Sequence, residues 1–233
     1  MKAVILAGGF GNRLKPFTDT LPKPLLPVAG KSTLEWILDL LCKYKFKKAI
    51  LTLYYKGEMI INHFGGNYRG IRLIYITEKE PLGTAGAFNL VLDELDNTFF
   101  HIHGDILTDI NIPKMYELHK SEEAYGTIGL TVVKDPSPFS SVVLDKNRIL
   151  EYIFKPEKGK APSNLVNSGC SILEPEALSL IKDKNVCDID HDIFKPLVSM
   201  GKMYGYTHKG LWDTIDTVER YKNANRYWKI SRR

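Results

Sequence analysis

The stretch Val4-Ile5-Leu6-Ala7-Gly8-Gly9-Phe10-Gly11-Asn12-Arg13-Leu14 decides the fold, because an apolar run leads there into a glycine loop that ends at an arginine. The run is apolar at every position, as expected of a strand buried on both faces of a parallel sheet. Glycines let backbone N–H groups approach a phosphate closely. Arg13, and Lys23 between two prolines, add positive charge. The segment therefore predicts a strand followed by a loop that handles a triphosphate.

Two commoner phosphate motifs fit this sequence poorly. The third glycine of the dinucleotide-binding fingerprint is replaced by Leu14. Gly30-Lys31-Ser32 is similar to the end of a P-loop, but Leu25 stands where that loop needs its first glycine. Ser32 is instead predicted to cap a helix, with Glu35 completing a capping box.

The composition indicates one globular domain over residues 1–233. No apolar run approaches the ~18 residues of a membrane helix, so no membrane association is expected. The start enters a strand directly and predicts no export signal. Three widely spaced cysteines indicate reduced thiols, and the expected location is the cytoplasm.

The net charge is +5, and the basic residues are spread along the chain. A nucleic-acid surface would need them packed on one face with aromatic residues between them, so nucleic acid is not an expected partner. A small substrate rich in phosphate accounts for the mild excess.

The order of predicted elements indicates an α/β fold. In the first half, predicted strands alternate with helices: strands Ala3–Ala7, Ala49–Leu53, Ile71–Ile76 and Thr98–His103, and helices Thr33–Tyr44, Gly57–Phe64 and Thr84–Leu95. The second half is richer in strands: strands Gly126–Val133, Ser141–Leu144, Ile149–Phe154 and Val166–Leu173, and helices Glu174–Ile181, His191–Met200 and Thr217–Trp228.

Two predicted strand ends carry candidate ligand groups. Asp105 follows Gly104 at the end of a strand, where ligands bind in open α/β sheets, and is expected to face a metal-bound phosphate. Glu78 offers acceptor atoms, and Gly83 an unobstructed backbone, which together suit the edge of a nucleotide base. The alternative for the second segment is an ordinary loop with Thr84 as a helix cap.

Taken together, these motifs resemble those of the sugar-1-phosphate nucleotidyltransferases, or NDP-sugar pyrophosphorylases, from residue 1 to about residue 228. The matching motifs are Leu6-Ala7-Gly8-Gly9 with Gly11, Arg13 and Leu14, then Pro22-Lys23-Pro24, Pro81-Leu82-Gly83-Thr84-Ala85 and Gly104-Asp105. The resemblance implies a Rossmann-like, mostly parallel mixed sheet with helices on both faces, in a glycosyltransferase-A-like architecture. It also implies a short form without a C-terminal β-helix, with a nucleotide-binding half (1–110) and an acceptor-binding half (111–233).

The resemblance further implies a role for each matching residue. Arg13 would hold the departing pyrophosphate, Lys23 would neutralise phosphate charge, and Asp105 would bind Mg²⁺. The implied nucleotide-binding residues are Leu6, Ala7, Gly8, Gly9, Gly11, Glu78, Gly83 and Thr84. The implied acceptor-binding residues are Gly104, Ser140, Phe154, Lys155, Asn167 and Gly169.

The second metal carboxylate departs from the family pattern. Thr214 stands where many members carry an aspartate after the tryptophan, here Trp212. The Asp216-Thr217 pair resembles that of glucose-1-phosphate cytidylyltransferases and implies Asp216 as the second metal ligand, with Asp213 as the alternative.

The acceptor pocket departs as well. Ser140 replaces a glycine, and Phe154 replaces the carboxylate that precedes Lys155 in relatives. A buried hydroxyl left without a partner costs about 1–3 kcal/mol. An apolar pocket wall is therefore expected, together with an acceptor other than glucose 1-phosphate, such as a heptose, a deoxy-sugar or a non-sugar phosphate.

The expected reaction is Mg²⁺-dependent attack of an acceptor phosphate on the α-phosphorus of an NTP, with pyrophosphate leaving. A carboxylate at Glu78 could accept two N–H bonds from guanine, which favours GTP. The Asp216-Thr217 pair favours CTP, and UTP or dTTP stay open. A non-catalytic subunit that senses nucleotide sugars is the alternative of another class, and the sequence leaves a homodimer open.

Overall fold

The computed structural model describes residues 1–182 and 184–228, which form two compact units. The loop unit contains the glycine loop and comprises Lys2–Pro81, Ile102–Asp109 and residues 210–228. The central unit comprises Leu82–His101 and Ile110–Lys209, together with Met1. Each unit draws on both predicted halves of the sequence, because the chain passes between the units more than once.

The described chain is α/β throughout. Its strands are β1 Lys2–Leu6, β2 Pro27–Val28, β3 Lys31–Ser32, β4 Lys48–Leu53, β5 Asn67–Tyr68, β6 Ile71–Thr77, β7 Phe99–His103, β8 Ile106–Thr108, β9 Gly126–Val132, β10 Ser141–Asp145, β11 Arg148–Ile153, β12 Leu165–Leu173, β13 Met203–Thr207 and β14 Trp212–Thr214. Its α-helices are α1 Phe17–Thr20, α2 Thr33–Lys43, α3 Gly57–Phe64, α4 Gly83–Gly86, α5 Ile112–Ser121, α6 Lys195–Ser199 and α7 Val218–Tyr227. Tighter 3₁₀ turns cover Asn12–Leu14, Lys23–Leu25, Ala87–Glu94 and Pro175–Leu180, and a π-helical segment covers Ile189–Phe194.

In the loop unit, β4 lies between β1 and β6 and pairs in parallel with both. Val4 is aligned with Ile50, which is aligned with Ile74. Val4 and Ile50 are fully buried. The apolar runs therefore form parallel strands, as the sequence predicted, and end on the same side as the glycine loop. The short β5 adds an antiparallel edge.

Helix α2 begins at the predicted capping box. The Ser32 hydroxyl accepts from the Glu35 N–H at 3.2 Å, and the Glu35 carboxylate accepts from the Ser32 N–H at 2.7 Å. Ser32 is thus a helix cap and not part of a P-loop, as predicted.

A hydrophobic cluster packs residues of the C-terminal segment against the glycine loop. Leu14, which replaces a fingerprint glycine, is fully buried in it with Ile215 and Trp228. Tyr221 of α7 joins the cluster and donates its hydroxyl to the Pro27 carbonyl at 2.9 Å. The packing brings residues 212–216 into the same unit as the glycine loop.

In the central unit the strand order is β10-β11-β13-β9-β12. The β9 strand pairs in parallel with β13 and antiparallel with β12, and the remaining pairs are antiparallel. The sheet pairing is therefore mixed: the longer strands β1, β4 and β6 of the loop unit pair in parallel, and most pairs of the central unit are antiparallel.

Several predicted elements have a different form in the structure. The helix expected at Thr84–Leu95 is the short α4 followed by a 3₁₀ turn, and the helix expected at His191–Met200 starts as a π-helical segment at Ile189. The sequence analysis missed α5, although Asn111 caps it by accepting from the Lys114 N–H at 3.1 Å.

Two further expectations concern cysteines and membranes. The three cysteines are free thiols, as their spacing predicted. None of the described helices is both long and apolar enough to cross a bilayer.

Candidate active site

The glycine loop starts where β1 ends, and the end of β4 and the chain that follows it bind its first residues. The Ala7 N–H donates to the Thr52 carbonyl at 2.9 Å, and the Tyr55 N–H donates to the Gly8 carbonyl at 3.3 Å. No described atom lies within 4 Å of the position that a Cβ would take on Gly9. The backbone at Gly9 is therefore open to a ligand, as a loop that binds phosphate requires.

Gly11 has a structural reason to be glycine. Its φ is +68°, and a Cβ there would lie 2.8 Å from the Thr18 methyl carbon. The Gly11 carbonyl accepts from the Thr18 hydroxyl at 3.0 Å. The same Cβ position is 3.5 Å from the Lys23 Cβ, so Lys23 packs directly against the loop.

Lys23 and Asp105 form an ion pair between Nζ and Oδ2, and both side chains are mostly buried. Gly104 permits this approach, because its N–H donates to the Leu6 carbonyl at 2.9 Å and a Cβ there would lie 3.3 Å from Pro24. Burial favours the neutral acid, but the Lys23 charge, the nearby His103 and the hydrogen bonds to the carboxylate together outweigh it, and the pKa of Asp105 lies below its usual value. Asp105 is therefore an ionised carboxylate at neutral pH.

Arg13 extends from the loop with a largely exposed side chain and is held by a carboxylate. Its Nη1 lies 3.2 Å from Oδ2 of Asp216, and Nη1 of Arg220 lies 3.1 Å from Oδ1 of the same residue. The carboxylate predicted as the second metal ligand thus lies between two guanidinium groups. Each arginine neutralises part of its charge, and in return Asp216 fixes the direction of Arg13.

The β14 strand pairs antiparallel with β8 and places Thr214 opposite Ile106. The Thr214 hydroxyl lies 3.5 Å from Oδ2 of Asp105. The residue in the family's usual aspartate position is therefore beside Asp105, but it brings a hydroxyl. Burial raises the pKa of the neighbouring Asp213, whose Oδ1 accepts from the Thr214 N–H at 2.8 Å.

The loop unit therefore offers hard oxygen donors for a cation. No group of three His, Cys, Asp or Glu side chains suited to a metal occurs in residues 1–182 and 184–228. Mg²⁺ in nucleotide enzymes is commonly held by one or two carboxylates plus substrate phosphates. Asp105, ionised and beside the glycine loop, fits that kind of site.

Glu78 directly follows β6 and adjoins the glycine loop. Its N–H donates to the Leu53 carbonyl at 2.8 Å, and its side chain is largely buried. A Cβ on Gly8 would lie 3.1 Å from Oε1 of Glu78 and 3.2 Å from the Tyr54 side chain. The glycine at position 8 thus leaves room for a carboxylate next to the loop.

In the central unit, the Gly83-Thr84 segment is packed against Cys187. Gly83 has φ +79°, and its Cβ position is filled by the Cys187 carbonyl. Thr84 is not the helix cap that the alternative interpretation expected, since α4 already begins at Gly83. Its hydroxyl donates to Asp188 at 3.1 Å and accepts from the Ile189 N–H at 2.8 Å.

The predicted acceptor residues of the central unit meet at a carboxylate that the sequence analysis missed, that of Asp190. The Ser140 hydroxyl donates to Oδ1 of Asp190 at 2.8 Å, and the Tyr152 hydroxyl donates to the same atom. The Asn167 amide donates to the Tyr152 oxygen at 3.1 Å, and its Oδ1 accepts from the Gly169 N–H at 2.9 Å. Burial and the Asp190 charge raise the pKa of Tyr152 well above its ordinary value, so the phenol stays a donor.

Phe154 and Lys155 lie beside this network. The Phe154 ring is 4.7 Å from the His191 ring, and the Lys155 ammonium is 4.7 Å from the centre of the Phe154 ring. Phe154 is apolar, and Asp190, on the segment after β12, adds a carboxylate to the same group of residues. The apolar wall of an acceptor pocket stays a prediction. In the sequence, the feature that pointed to an acidic group here is the run Asp188-Ile189-Asp190-His191-Asp192.

The predicted residues thus form two groups, each within one unit. The loop unit holds Leu6, Ala7, Gly8, Gly9, Gly11, Arg13, Lys23, Glu78, Gly104, Asp105, Asp213 and Asp216, and the central unit holds Gly83, Thr84, Ser140, Phe154, Lys155, Asn167 and Gly169. Gly104, expected among the acceptor residues, lies in the loop unit.

A glycine loop after a parallel strand, followed by a Lys–Asp ion pair, defines a class of nucleotide-handling proteins. The chain belongs to the nucleotidyl transferase family, whose model matches residues 2–229. The family expected from the motifs is therefore confirmed.

Individual relatives extend this result. The chain is 32% identical to a mannose-1-phosphate guanylyltransferase of Mycobacterium tuberculosis, over 94% of this chain and 62% of the relative. It is 33% identical to the mannose-1-phosphate guanylyltransferase catalytic subunit beta of Dictyostelium discoideum, over 91% of this chain and 60% of the relative. The chain spans about three fifths of the length of these curated relatives.

Solved structures share the fold. A Bacillus anthracis protein superposes with a TM-score of 0.90 at 23% identity, covering 98% of this chain and 95% of its own. HddC from Yersinia pseudotuberculosis, complexed with GMP-PN, superposes with a TM-score of 0.80 at 27% identity, covering 98% of this chain and 99% of its own. The expected α/β nucleotidyltransferase architecture is confirmed.

Proposed function

We propose that this chain transfers a guanylyl group from GTP to a sugar 1-phosphate, releasing pyrophosphate and forming a GDP-sugar. The observation that carries the proposal is the continuous contact from the glycine loop through Lys23 to the ionised Asp105, within one unit. Such an arrangement holds phosphate charge and needs no nucleophilic side chain. An acceptor phosphate oxygen would attack the α-phosphorus, and the pyrophosphate oxygen would leave with the electron pair.

The chain's own residues would act by position and charge. The open backbone at Gly9 would approach the triphosphate, and Arg13, directed by Asp216, would hold the pyrophosphate as its charge develops. Lys23 would neutralise charge on the transferred phosphate. Preorganised cations of this kind stabilise a transition state without reorganising during the reaction.

Mg²⁺ would be held by Asp105, with Asp216 as the second predicted ligand if it exchanges its arginine partners. Mg²⁺ held there would supply positive charge to offset that of the phosphate oxygens. The ionised state of Asp105 at neutral pH supports this assignment, because only the carboxylate is a good ligand for a hard dication.

Guanine is the proposed base because of Glu78. Its carboxylate lies next to the glycine loop and has two oxygens with which to accept the N1–H and N2–H groups of guanine. Cytosine offers such a carboxylate only its amino group. The guanylyltransferase names of the relatives and the GMP-PN complex of HddC favour the same base.

The proposed acceptor is a sugar 1-phosphate, with mannose 1-phosphate as the first candidate because the similar enzymes carry that name. Lys155 would bind the acceptor phosphate, and the network of Ser140, Tyr152 and Asn167 would contact the sugar. A homodimer in the cytoplasm remains part of this proposal.

The test measures pyrophosphate release by the purified protein with Mg²⁺, each of GTP, CTP, UTP and dTTP, and mannose 1-phosphate or glucose 1-phosphate. Fastest turnover with GTP supports the proposal. Fastest turnover with CTP would show that the base is cytosine and not guanine. Nucleotide-sugar binding by calorimetry without any pyrophosphate release would refute catalysis and favour a sensing subunit.

A further inference from the structure

Asp190 lies where the predicted acceptor residues of the central unit meet. Ser140 follows the Pro136–Pro138 loop, Tyr152 lies on β11, and Asn167 lies on β12. The hydroxyls of Ser140 and Tyr152 both donate to Asp190, and Asn167 donates to Tyr152. Side chains from two separate segments thus converge on one carboxylate, and a third segment joins them through Tyr152.

The two oxygens of Asp190 have different environments. Both hydroxyls donate to Oδ1, and no described residue donates to Oδ2. Asp190 as a residue is only partly buried. A carboxylate oxygen accepts up to two hydrogen bonds, and a sugar hydroxyl is a suitable donor.

The segment around Asp190 is fixed by its own hydrogen bonds. Oδ1 of Asp188 accepts from the N–H groups of Asp190 at 3.0 Å and His191 at 3.1 Å. The Thr84 hydroxyl holds Asp188 from the other side at 3.1 Å. Because the backbone around Asp190 is held in this way, its carboxylate keeps a fixed orientation. A side chain that selects between ligands needs such an orientation.

Phe154 and Lys155 lie next to this segment. The Phe154 ring is 4.7 Å from the ring of His191, which directly follows Asp190. The Lys155 ammonium is 4.7 Å from the centre of the Phe154 ring. The residue proposed to bind the acceptor phosphate therefore lies close to the segment that carries Asp190.

We propose that Asp190 determines acceptor specificity by accepting a hydrogen bond from one ring hydroxyl of the sugar through Oδ2. The inference rests on the proposed function, in which the acceptor is a sugar 1-phosphate. The site thereby selects sugars that carry a hydroxyl at one ring position. Deoxy-sugars lacking that hydroxyl are poor acceptors.

The test combines a protein variant with altered acceptors. Asp190→Asn keeps an oxygen that can accept from Ser140 and Tyr152, while Oδ2 becomes an amide that only donates. With GTP saturating, kcat/KM is measured for mannose 1-phosphate and for each of its monodeoxy analogues. Asp145→Asn, on an exposed aspartate at the end of β10, is the matched control.

The expected result is a loss of about 10- to 100-fold in kcat/KM for mannose 1-phosphate in Asp190→Asn, the effect of losing a hydrogen bond to a charged group. One monodeoxy analogue should be turned over equally by both proteins, and the KM for GTP should stay unchanged. Asp145→Asn should behave as the wild type.

Equal losses on all acceptors would overturn the inference while leaving the proposed function intact. So would a wild-type protein that tolerates every monodeoxy analogue within about twofold, a result that needs no folded variant. If the wild type releases pyrophosphate with none of the acceptors, the proposed function itself fails, and this inference fails with it.

Discussion

The glycine loop of the loop unit and the Gly83-Thr84 segment of the central unit look alike in sequence, yet their glycines serve different purposes. Gly9 has no described atom within 4 Å of its Cβ position, whereas the Cβ position of Gly83 is filled by the Cys187 carbonyl. The first glycine leaves space for a ligand, and the second permits packing. A small residue in a motif therefore does not by itself indicate a binding surface.

The two units also differ in how their charged side chains are arranged. In the loop unit, Lys23 and Arg13 pair with Asp105 and Asp216, so the group is organised by opposite charges. In the central unit, two hydroxyls donate to the carboxylate of Asp190, and the Asn167 amide donates to one of those hydroxyls. Charged side chains are suited to binding phosphate, because a charge attracts it from any direction. Hydrogen bonds of fixed direction are suited to binding a sugar, because they distinguish one hydroxyl from another.

The largest effect is expected at Asp105. Asp105→Asn should lower Mg²⁺-dependent turnover by about 10³-fold or more, because an amide is a poor ligand for Mg²⁺ and a poor partner for Lys23. The measurement is kcat for pyrophosphate release across a Mg²⁺ titration, with circular dichroism to verify folding. A folded variant with wild-type turnover would remove Asp105 from the site.

Lys23→Ala and Arg13→Ala should each lower kcat by about 10²-fold, the effect of removing one preorganised charge. Arg220→Ala is the matched control, since Arg220 contacts the same carboxylate of Asp216 as Arg13 does. Its effect should be clearly smaller in the same assay. An equal loss in Arg220→Ala would mean that the arginines act only by fixing Asp216.

Asp216→Asn and Asp213→Asn distinguish the two candidates for the second carboxylate. We expect Asp216→Asn to lose most activity, because Asp216 directs Arg13 and is the predicted metal ligand, while Asp213→Asn should be milder. Kinetics at rising Mg²⁺ separate the two roles of Asp216, since a ligand defect weakens as Mg²⁺ is added. An inactive Asp213→Asn beside an active Asp216→Asn would reverse the assignment.

Gly9→Ala should reduce kcat/KM for GTP by about 10-fold or more while leaving the thermal midpoint unchanged. The added methyl meets no described atom of the protein, so any loss reports contact with the substrate. Gly66→Ala, at a second glycine with an equally open Cβ position, is the control and should be fully active. Full activity of Gly9→Ala would show that the triphosphate lies elsewhere.

The smallest effect on catalysis and the clearest effect on stability are expected at Gly83. Gly83→Ala should lower the free energy of unfolding by more than about 1 kcal/mol, because φ is +79° and the methyl would collide with Cys187. Gly159→Ala is the matched control, with the same φ of +79° and open space around the Cβ position. Denaturant unfolding of both variants gives their free energies of unfolding, and the difference between them is the contribution of packing at Gly83. Equal destabilisation of the two variants would exclude such a contribution.

The sequence by itself determined the parts of this protein that depend on local pattern. The apolar run before Gly8 predicted a parallel strand, Ser32 and Glu35 predicted a capping box, and Gly104-Asp105 predicted a carboxylate at a strand end; the structure contains all three. These features follow from side-chain periodicity and from hydrogen bonds between residues close in the chain, which a sequence displays directly.

Only the tertiary structure decided which distant side chains share a carboxylate. Asp216 binds Arg13 from about two hundred positions away in the chain, and Asp190 collects Ser140 and Tyr152 from other elements. Likewise, the reason for glycine at position 83 is the backbone of Cys187. Such contacts depend on packing between elements and leave no periodic signal, so the pairing of Asp216 with Arg13 and the contacts of Asp190 with Ser140 and Tyr152 are visible only in the folded chain.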